Sequence, residues 1–168
     1  MMKVRILKKH PAARMPVYNS QHAACFDLEV LRESGGVIVV PPGQQATFRT
    51  GLAFEVPQGW AMAIHSRSGQ GLKHSVRLAN GTGIIDPDYR GEVLVILRND
   101  HDSKPYEVKP GDFIAQAMVI PAPRVFFFWA DQLSETERGE GGFGSTTKPA
   151  APPSEAHMRE ADSMFGVA

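Results

Sequence analysis

The sequence predicts an all-β protein, a jelly-roll-like β-barrel followed by a flexible C-terminal arm. Two observations favour strands over helices. Sixteen glycines and thirteen prolines divide the 168 residues into short segments. The turn-forming clusters lie mostly about eight to fifteen residues apart, a spacing typical of β-sandwiches and barrels. Between these clusters, apolar side chains alternate with smaller or polar ones, or form short continuous runs.

The alternating and continuous apolar segments predict the individual strands of the barrel. Period-two alternation is found over residues 52–56 and 60–65 and indicates two strands. Continuous apolar runs at residues 37–40, 93–97 and 114–120 predict strands covered on both faces. Because the first 130 residues contain no extended segment with helical spacing, any helix there should be a single short turn.

The composition changes towards the C-terminal end of the chain. A polar segment is followed by a glycine-rich stretch at residues 141–147 and then by a proline-rich one. We therefore expect a barrel domain over residues 1–130, an arm over residues 131–147 and a disordered tail over residues 148–168. A short helix in that tail would be marginal in isolation.

Charge and composition argue against several functional classes. Lys plus Arg and Asp plus Glu both number 18, so the formal net charge is zero and general nucleic-acid binding is not expected. The apolar runs are far shorter than the ~20 residues that span a bilayer, and no secretory signal is recognisable at the N-terminus, which predicts a soluble protein. The single cysteine, Cys25, cannot form an internal disulfide and indicates the reducing cytoplasm.

Three polar clusters on predicted turns are candidates for chemistry. Residues 84–91 contain two carboxylates, a phenol and a guanidinium, although a turn that closes a hairpin is the simplest interpretation. Residues 66–71 place an arginine and hydroxyl groups on a glycine-rich loop whose N–H groups could bind phosphate. Residues 138–146 carry an arginine and an aromatic ring on a glycine-rich segment, which could close over a ligand or serve only as a solvated linker.

Together with two further stretches, these clusters resemble the five motifs of the trimeric dUTPases. The corresponding segments are residues 23–28, 67–69, 80–91, 111–116 and 138–146. They occur in the same order and are separated by tens of residues, and the third is long, so the similarity is specific. The resemblance implies hydrolysis of dUTP to dUMP and pyrophosphate by attack of water on the α-phosphorus. This reaction limits uracil incorporation into DNA and supplies dUMP for dTMP synthesis.

The resemblance also implies roles for individual residues. Asp86 corresponds to the carboxylate that activates the water, and Tyr89 to the ring that packs against the deoxyribose and excludes a 2′-hydroxyl. The main chain of a hairpin over residues 80–85 would read uracil, with Asn80, Gly83 and Ile84 as binding residues. The phosphates would be bound by Arg67, Ser68, Gly69, Gln116 and Arg138. Phe143 would stack on uracil, and Gly144 and Ser145 are the remaining substrate-binding residues.

A metal ion and an oligomer follow from the same resemblance. Only Arg67 and Arg138 are strong neutralisers of a triphosphate, so a divalent ion is implied. Mg²⁺ held mainly by phosphates and water fits the preference of hard cations for oxygen ligands. Asp27 corresponds to the aspartate that holds such waters. The family resemblance further implies a homotrimer whose active sites are each built from all three subunits, with the arm crossing to a neighbour.

Two positions of this sequence depart from the motifs of the family that it resembles. Cys25 stands in place of the usual glycine, so this position should not need a positive φ. Gln70 replaces the usual leucine and should alter the packing beneath the phosphate loop.

The related dCTP deaminases have a catalytic glutamate where Ile96 stands and commonly a tryptophan in place of Tyr89. A nucleotide-binding or signalling module and a capsid-type jelly roll are further alternatives. The retained Asp86 and the arm argue against both.

Overall fold

The computed structural model describes residues 2–32 and 35–144. Eleven strands and one helix are found in these residues, and every pairing between the strands is antiparallel. In chain order they are β1 (Arg5–Lys8), β2 (Phe26–Glu29), β3 (Ile38–Val40), β4 (Gln45–Arg49), β5 (Leu52–Glu55), β6 (Trp60–His65), α1 (Ser68–His74), β7 (Val76–Leu78), β8 (Gly83–Ile85), β9 (Leu94–Asn99), β10 (Tyr106–Val108) and β11 (Phe113–Pro121).

The strands form two small pairs and two larger sheets. Strand β1 pairs with β5, and β3 pairs with β10. The larger sheets have the strand orders β2-β11-β6-β8 and β4-β9-β7. The core consists mainly of aliphatic side chains and phenylalanines; its largest fully buried members include Phe48, Phe54, Leu28, Met62, Leu78 and Leu97. The predicted all-β, jelly-roll-like fold class is confirmed.

The burial of the strands differs in part from the sequence prediction. Strand β11 begins with a buried segment, in which Ile114, Ala115 and Ala117 are inaccessible to solvent. The expectation that the apolar runs of β3 and β9 are covered on both faces is wrong within one chain. Val39 is 49% exposed and Leu94 is 50% exposed, because each points away from the core while its neighbours along the strand point inward.

The helix α1 is longer than the single turn expected from the sequence. Its seven residues include Gly69 and Gly71, which are poor helix formers, so no helical pattern is visible in the sequence. The side chain of Gln70 is buried and holds the helix against the barrel. The helix ends at His74 and is capped by Ser75, which adopts the left-handed conformation with φ 57°. The N–H of Ser75 donates to the carbonyls of Gln70 and Gly71.

The chain divides after Val125 into two compact units. The described part of the second unit, residues 126–144, contains no strand or helix. Its turns are closed by local hydrogen bonds, such as that from the Gly139 N–H to the Thr136 carbonyl at 3.1 Å. The predicted domain limits at residues 130 and 147 stay predictions, and the predicted tail at 148–168 lies outside the described residues. In the part of the chain that is described, no helix is long and apolar enough to span a bilayer.

Candidate active site

A polar cleft of about 580 Å³ opens beside helix α1 and one end of the four-stranded sheet. Three of the predicted motifs contribute side chains to it. The predicted site residues that line the cleft are Asp27, Arg67, Ser68, Gly69 and Gln116. Residues 66–71, predicted as a loop, instead enter the helix at Ser68, with Arg67 in an extended conformation just before it.

Three contacts fix the guanidinium group of Arg67. Its Nε lies 3.1 Å from Oδ1 of Asp27, and its Nη1 donates to the carbonyl of Phe113 at 3.0 Å. The guanidinium carbon also stands 5.5 Å from the centre of the Phe113 ring, within the range of a cation–π contact. An arginine that is held in this way loses little conformational freedom when it binds an anion.

Two glutamine side chains connect strand β11 to the region around α1. The Nε2 of Gln116 donates to the carbonyl of Ser66 at 2.9 Å. The Nε2 of Gln70 donates to the Phe113 carbonyl at 3.1 Å and to the Tyr106 hydroxyl at 3.0 Å. Gln70, which stands where the family usually has leucine, is therefore a buried polar anchor beneath the cleft. The expected change in packing stays a prediction.

Lys73, His74 and Tyr106 also line the cleft and were missed by the sequence analysis. The two basic residues lie two and three positions after the glycine-rich stretch, but they could be placed in the cleft only once that stretch was known to be helical. The ring of His74 packs on that of Tyr106 with centroids 5.2 Å apart. Burial raises the pKa of Tyr106, a hydrogen bond from Gln70 opposes this, and nearby Asp112 adds to it, so the phenol is protonated at neutral pH.

The donors around Asp27 determine how this chain could bind a magnesium ion. The carboxylate pairs with Arg67 through Oδ1 and accepts a hydrogen bond from Asn19 through Oδ2. Among residues 2–32 and 35–144, no group of three or more acidic, histidine or cysteine side chains could hold a metal. A single, already paired carboxylate does not make a protein cage. It does fit an ion that arrives with phosphate and water ligands.

Cys25, beside Asp27, is partly buried. Burial raises the pKa of its thiol, and the Asp27 charge acts in the same direction, which disfavours a reactive thiolate. Ser75 is the one residue other than glycine with a positive φ among those described, so Cys25 has an ordinary backbone conformation, as expected.

The third motif forms a turn after β8. The N–H of Tyr89 donates to the carbonyl of Asp86 at 3.2 Å, and the Asp86 side chain is exposed to solvent. The Tyr89 hydroxyl donates to the carbonyl of Glu92 at 3.0 Å, which lays the ring across Gly91. A Cβ atom at Gly91 would stand 2.3 Å from the Tyr89 hydroxyl oxygen, so glycine leaves the space that this ring position needs.

Glu92 anchors the turn to the barrel. Its carboxylate accepts hydrogen bonds from Arg49, the closest at 2.8 Å, and from the N–H of Gly51, also at 2.8 Å. Partial burial raises the pKa of this carboxyl. The hydrogen bonds from Arg49 and Gly51, helped by the Arg49 charge, outweigh burial and hold the pKa below its usual value.

The predicted uracil-reading hairpin over residues 80–85 is not a hairpin of two paired strands. Strand β7 pairs with β9, whereas β8 pairs with β6, so the two strands flanking the turn belong to different sheets. Asn80 lies in the exposed turn, and Ile84 is 54% exposed. Gly83 pairs with Ile64. The main chain of β8 is thus positioned by β6.

The sheet register separates Asp86 from the cleft within one chain. Asp27 pairs with Gln116, and Gln116 pairs with His65 on the next strand. Since Gly83 pairs with Ile64, Asp86 lies three strands across from Asp27 and four residues along. With ~4.8 Å between strands and ~3.3 Å per residue, the separation is about 19 Å. Asp86 does not line the cleft.

The predicted residues of the fifth motif belong to the second unit. The Nε of Arg138 donates to the carbonyl of Gly141 at 2.8 Å, which forms a local turn. Phe143 is fully exposed, and Gly144 adopts a positive φ of 78°. Ser145 lies outside the described residues.

Comparison with known proteins gives one family. The dUTPase family model matches residues 12–147. A deoxyuridine 5'-triphosphate nucleotidohydrolase of Nautilia profundicola is 41% identical over 147 residues, which cover 88% of this chain and 100% of that protein. One from Desulfitobacterium hafniense is 43% identical and covers 86% of this chain and 95% of that protein. Among solved structures, the Staphylococcus bacteriophage 80alpha dUTPase with dUPNHPP gives a TM-score of 0.77 at 25% identity, covering 87% of this chain and 99% of that one. The chain belongs to the dUTPase family.

Proposed function

We propose that the chain carries out the reaction of its family, hydrolysis of dUTP to dUMP and pyrophosphate, with a water molecule activated by Asp86. The assignment of roles to residues rests on the polar cleft, which is lined by five predicted site residues from three separate motifs. In the cell this reaction would keep dUTP out of DNA and supply dUMP for dTMP synthesis. A cytoplasmic location remains part of the proposal, supported by the single free cysteine.

The proposed mechanism divides the work between the cleft and the turn of the third motif. Arg67, with Ser68, Gly69 and Gln116, binds the phosphate chain, and the preset guanidinium orients it. The carboxylate of Asp86 accepts the proton of the attacking water as its oxygen bonds to the α-phosphorus and the bond to the pyrophosphate oxygen breaks. Lys73, at the rim of the same cleft, adds positive charge for the departing pyrophosphate.

Substrate selection rests on the third motif and the arm. Main-chain groups near Gly83 bind the uracil edge, and a cytosine would leave buried groups unpaired at a cost of ~1–3 kcal/mol each. Tyr89 closes the space beside the 2′ carbon. On the arm, Arg138 reaches the terminal phosphate and Phe143 stacks on the base. Gly144 and Ser145 are the remaining proposed substrate-binding residues.

Enzymes of this family depend in general on Mg²⁺. In this chain the ion would be bound by phosphate oxygens and waters, and Asp27 would accept hydrogen bonds from those waters. When bound, it neutralises charge on the triphosphate. Removal of divalent ions with a chelator should therefore weaken dUTP binding without unfolding the protein.

A homotrimer with shared sites is part of the same proposal. A separation of about 19 Å between Asp27 and Asp86 in one chain is too large for both to contact one phosphate chain. If the cleft of one subunit faces the Asp86 turn of another subunit, both residues can reach the same phosphate chain.

Mixing two inactive variants tests the sharing directly. Asp86→Asn and Arg67→Gln chains, each inactive alone, are refolded together in equal amounts. If the two residues of a site come from different subunits, about one quarter of the sites in the mixture regain both. Activity near that fraction supports shared sites, whereas a mixture as inactive as its components contradicts them.

The role of Asp86 is tested by Asp86→Asn, with Asp88→Asn in the same exposed turn as the matched control. We expect turnover of dUTP to fall by at least ~100-fold in the first variant, while binding of a non-hydrolysable dUTP analogue persists. The control should retain activity. Assays with each dNTP that record both pyrophosphate and ammonia separate hydrolysis from deamination. Ammonia release, or unchanged turnover in Asp86→Asn, would contradict the assignment.

A further inference from the structure

The orientation of the Gln70 amide is determined by its surroundings. Gln70 is 7% exposed, and its amide lies 3.1 Å from the carbonyl oxygen of Phe113. A carbonyl can only accept a hydrogen bond, so the atom facing it must be the nitrogen. The same nitrogen is 3.0 Å from the Tyr106 hydroxyl oxygen. Both amide protons are therefore used, one on the carbonyl and one on the phenol.

This arrangement determines what the Tyr106 hydroxyl can do. Because the phenol oxygen accepts a proton from Gln70, its own proton is directed elsewhere. That proton is donated to no residue in the described part of the chain, and Tyr106 lines the cleft that contains Arg67 and Ser68. A protonated phenol at this position is a preset donor for an anion.

We propose that Tyr106 is a further phosphate-binding residue, which donates its hydroxyl proton to the phosphate chain of the substrate, and that Gln70 is the positioning residue that directs this proton into the cleft. The inference rests on the proposed function, since it takes the cleft to be the phosphate site.

The charges around Tyr106 are consistent with this role. Arg67, Lys73 and His74 line the same cleft as Tyr106. The carboxylates of Asp27 and Asp112 line it as well. The Oδ2 of Asp112 already accepts the N–H of Lys109 at 2.8 Å. Beside these cations, the neutral hydroxyl of Tyr106 would add a directional hydrogen bond to a phosphate oxygen. A lysine, which acts as a point charge, does not supply this directionality.

Tyr106→Phe removes the hydroxyl and keeps the ring that packs on His74. The full-length protein is titrated with a non-hydrolysable dUTP analogue, with inorganic pyrophosphate and with deoxyuridine, which has no phosphate. We expect about tenfold weaker binding of the first two, the loss of one hydrogen bond to a charged group, and unchanged binding of deoxyuridine. Equal affinity for the analogue in parent and variant overturns the proposal, as does an equal loss for all three probes, which would indicate disturbed packing.

Gln70→Leu tests the positioning role. It should weaken binding of the dUTP analogue in the parent but not in the Tyr106→Phe background, because there is then no hydroxyl to orient. Independent losses in the two variants would overturn the role of Gln70. Failure of the proposed function would be recognised separately, since the parent would then release no pyrophosphate from dUTP.

Discussion

Replacement of Glu92 by glutamine should loosen the turn that carries Asp86. The substitution keeps the size of the side chain but removes its negative charge. The carboxylate that pairs with Arg49 and accepts a hydrogen bond from the N–H of Gly51 is thereby lost. Glu92 is 16% exposed and Arg49 is 52% exposed, so the ion pair is partly screened by solvent. A screened pair and one weakened hydrogen bond together contribute about 1–2 kcal/mol to the free energy of unfolding.

This loss is measurable by thermal unfolding. For a chain of this length, about 1–2 kcal/mol corresponds to a decrease in Tm of roughly 3–6 °C. Parent and variant are compared at one protein concentration, because the proposed assembly of subunits would make Tm depend on concentration. Glu55→Gln is the control. Glu55 pairs with the 85% exposed Arg5 and, at 3.9 Å, with the exposed Arg90, and such solvent-screened pairs should contribute little. A Glu92→Gln protein with the Tm of the parent at neutral pH would refute the anchoring role.

The pH dependence gives a second check on Glu92. Its pKa in the folded protein is below the ordinary value of about 4.3, because Arg49 and Gly51 outweigh the effect of burial. The unfolded chain therefore binds the proton more tightly. The stabilisation is fully present above the unfolded pKa and is lost as pH falls through the folded pKa. The difference in Tm between parent and Glu92→Gln should narrow below about pH 4, and a difference that widens on acidification would contradict this reasoning.

Three further outcomes are expected. Gly51→Ala should lower the free energy of unfolding in urea by at least about 2 kcal/mol. The reason is that φ is +69° and a Cβ atom would lie 2.8 Å from both Ala13 and Leu31. A variant that unfolds at the same urea concentration as the parent would contradict this. Tyr89→Ala should raise kcat/KM for UTP relative to dUTP, and an unchanged ratio would remove the steric explanation. Truncation before Arg138 should leave circular dichroism of the barrel unchanged and severely reduce kcat/KM for dUTP, and full activity would exclude the arm from the site.

The strands could be predicted from the sequence because alternation and turn residues act locally. Leu52, Phe54 and Val56 are all buried, as their spacing predicts. Residues between them need not be exposed, since the small Ala53 is buried as well. Helix α1 could not be predicted, because Gly69 and Gly71 disfavour a helix and the interactions that form it come from distant residues. Such tertiary contacts override local propensity.

The site was predictable to the extent that its residues form compact motifs. Arg67 and Gln116 are far apart in sequence, and their shared cleft was inferred only from resemblance. Tyr106 and Lys73 lie outside the matched motifs, so their contribution required the structure. The two hydrogen bonds of Gln70 are made to a carbonyl of strand β11 and to the hydroxyl of Tyr106 on β10, and no local sequence pattern predicts such bonds.

Movement of the turn alone cannot close the distance between Asp86 and the cleft. Strand β8 is paired with β6 up to Ile85, and Glu92 is tied to Arg49 and Gly51 on the other side of the turn. The six residues between these anchors cannot carry Asp86 across three strand spacings, about 14 Å, without breaking one of them. The two groups of residues in the proposed chemistry are therefore held on separate parts of the barrel of one chain. In the proposed mechanism they meet through the arrangement of several chains, so the stability of the anchors and the assembly of subunits would both affect the same reaction.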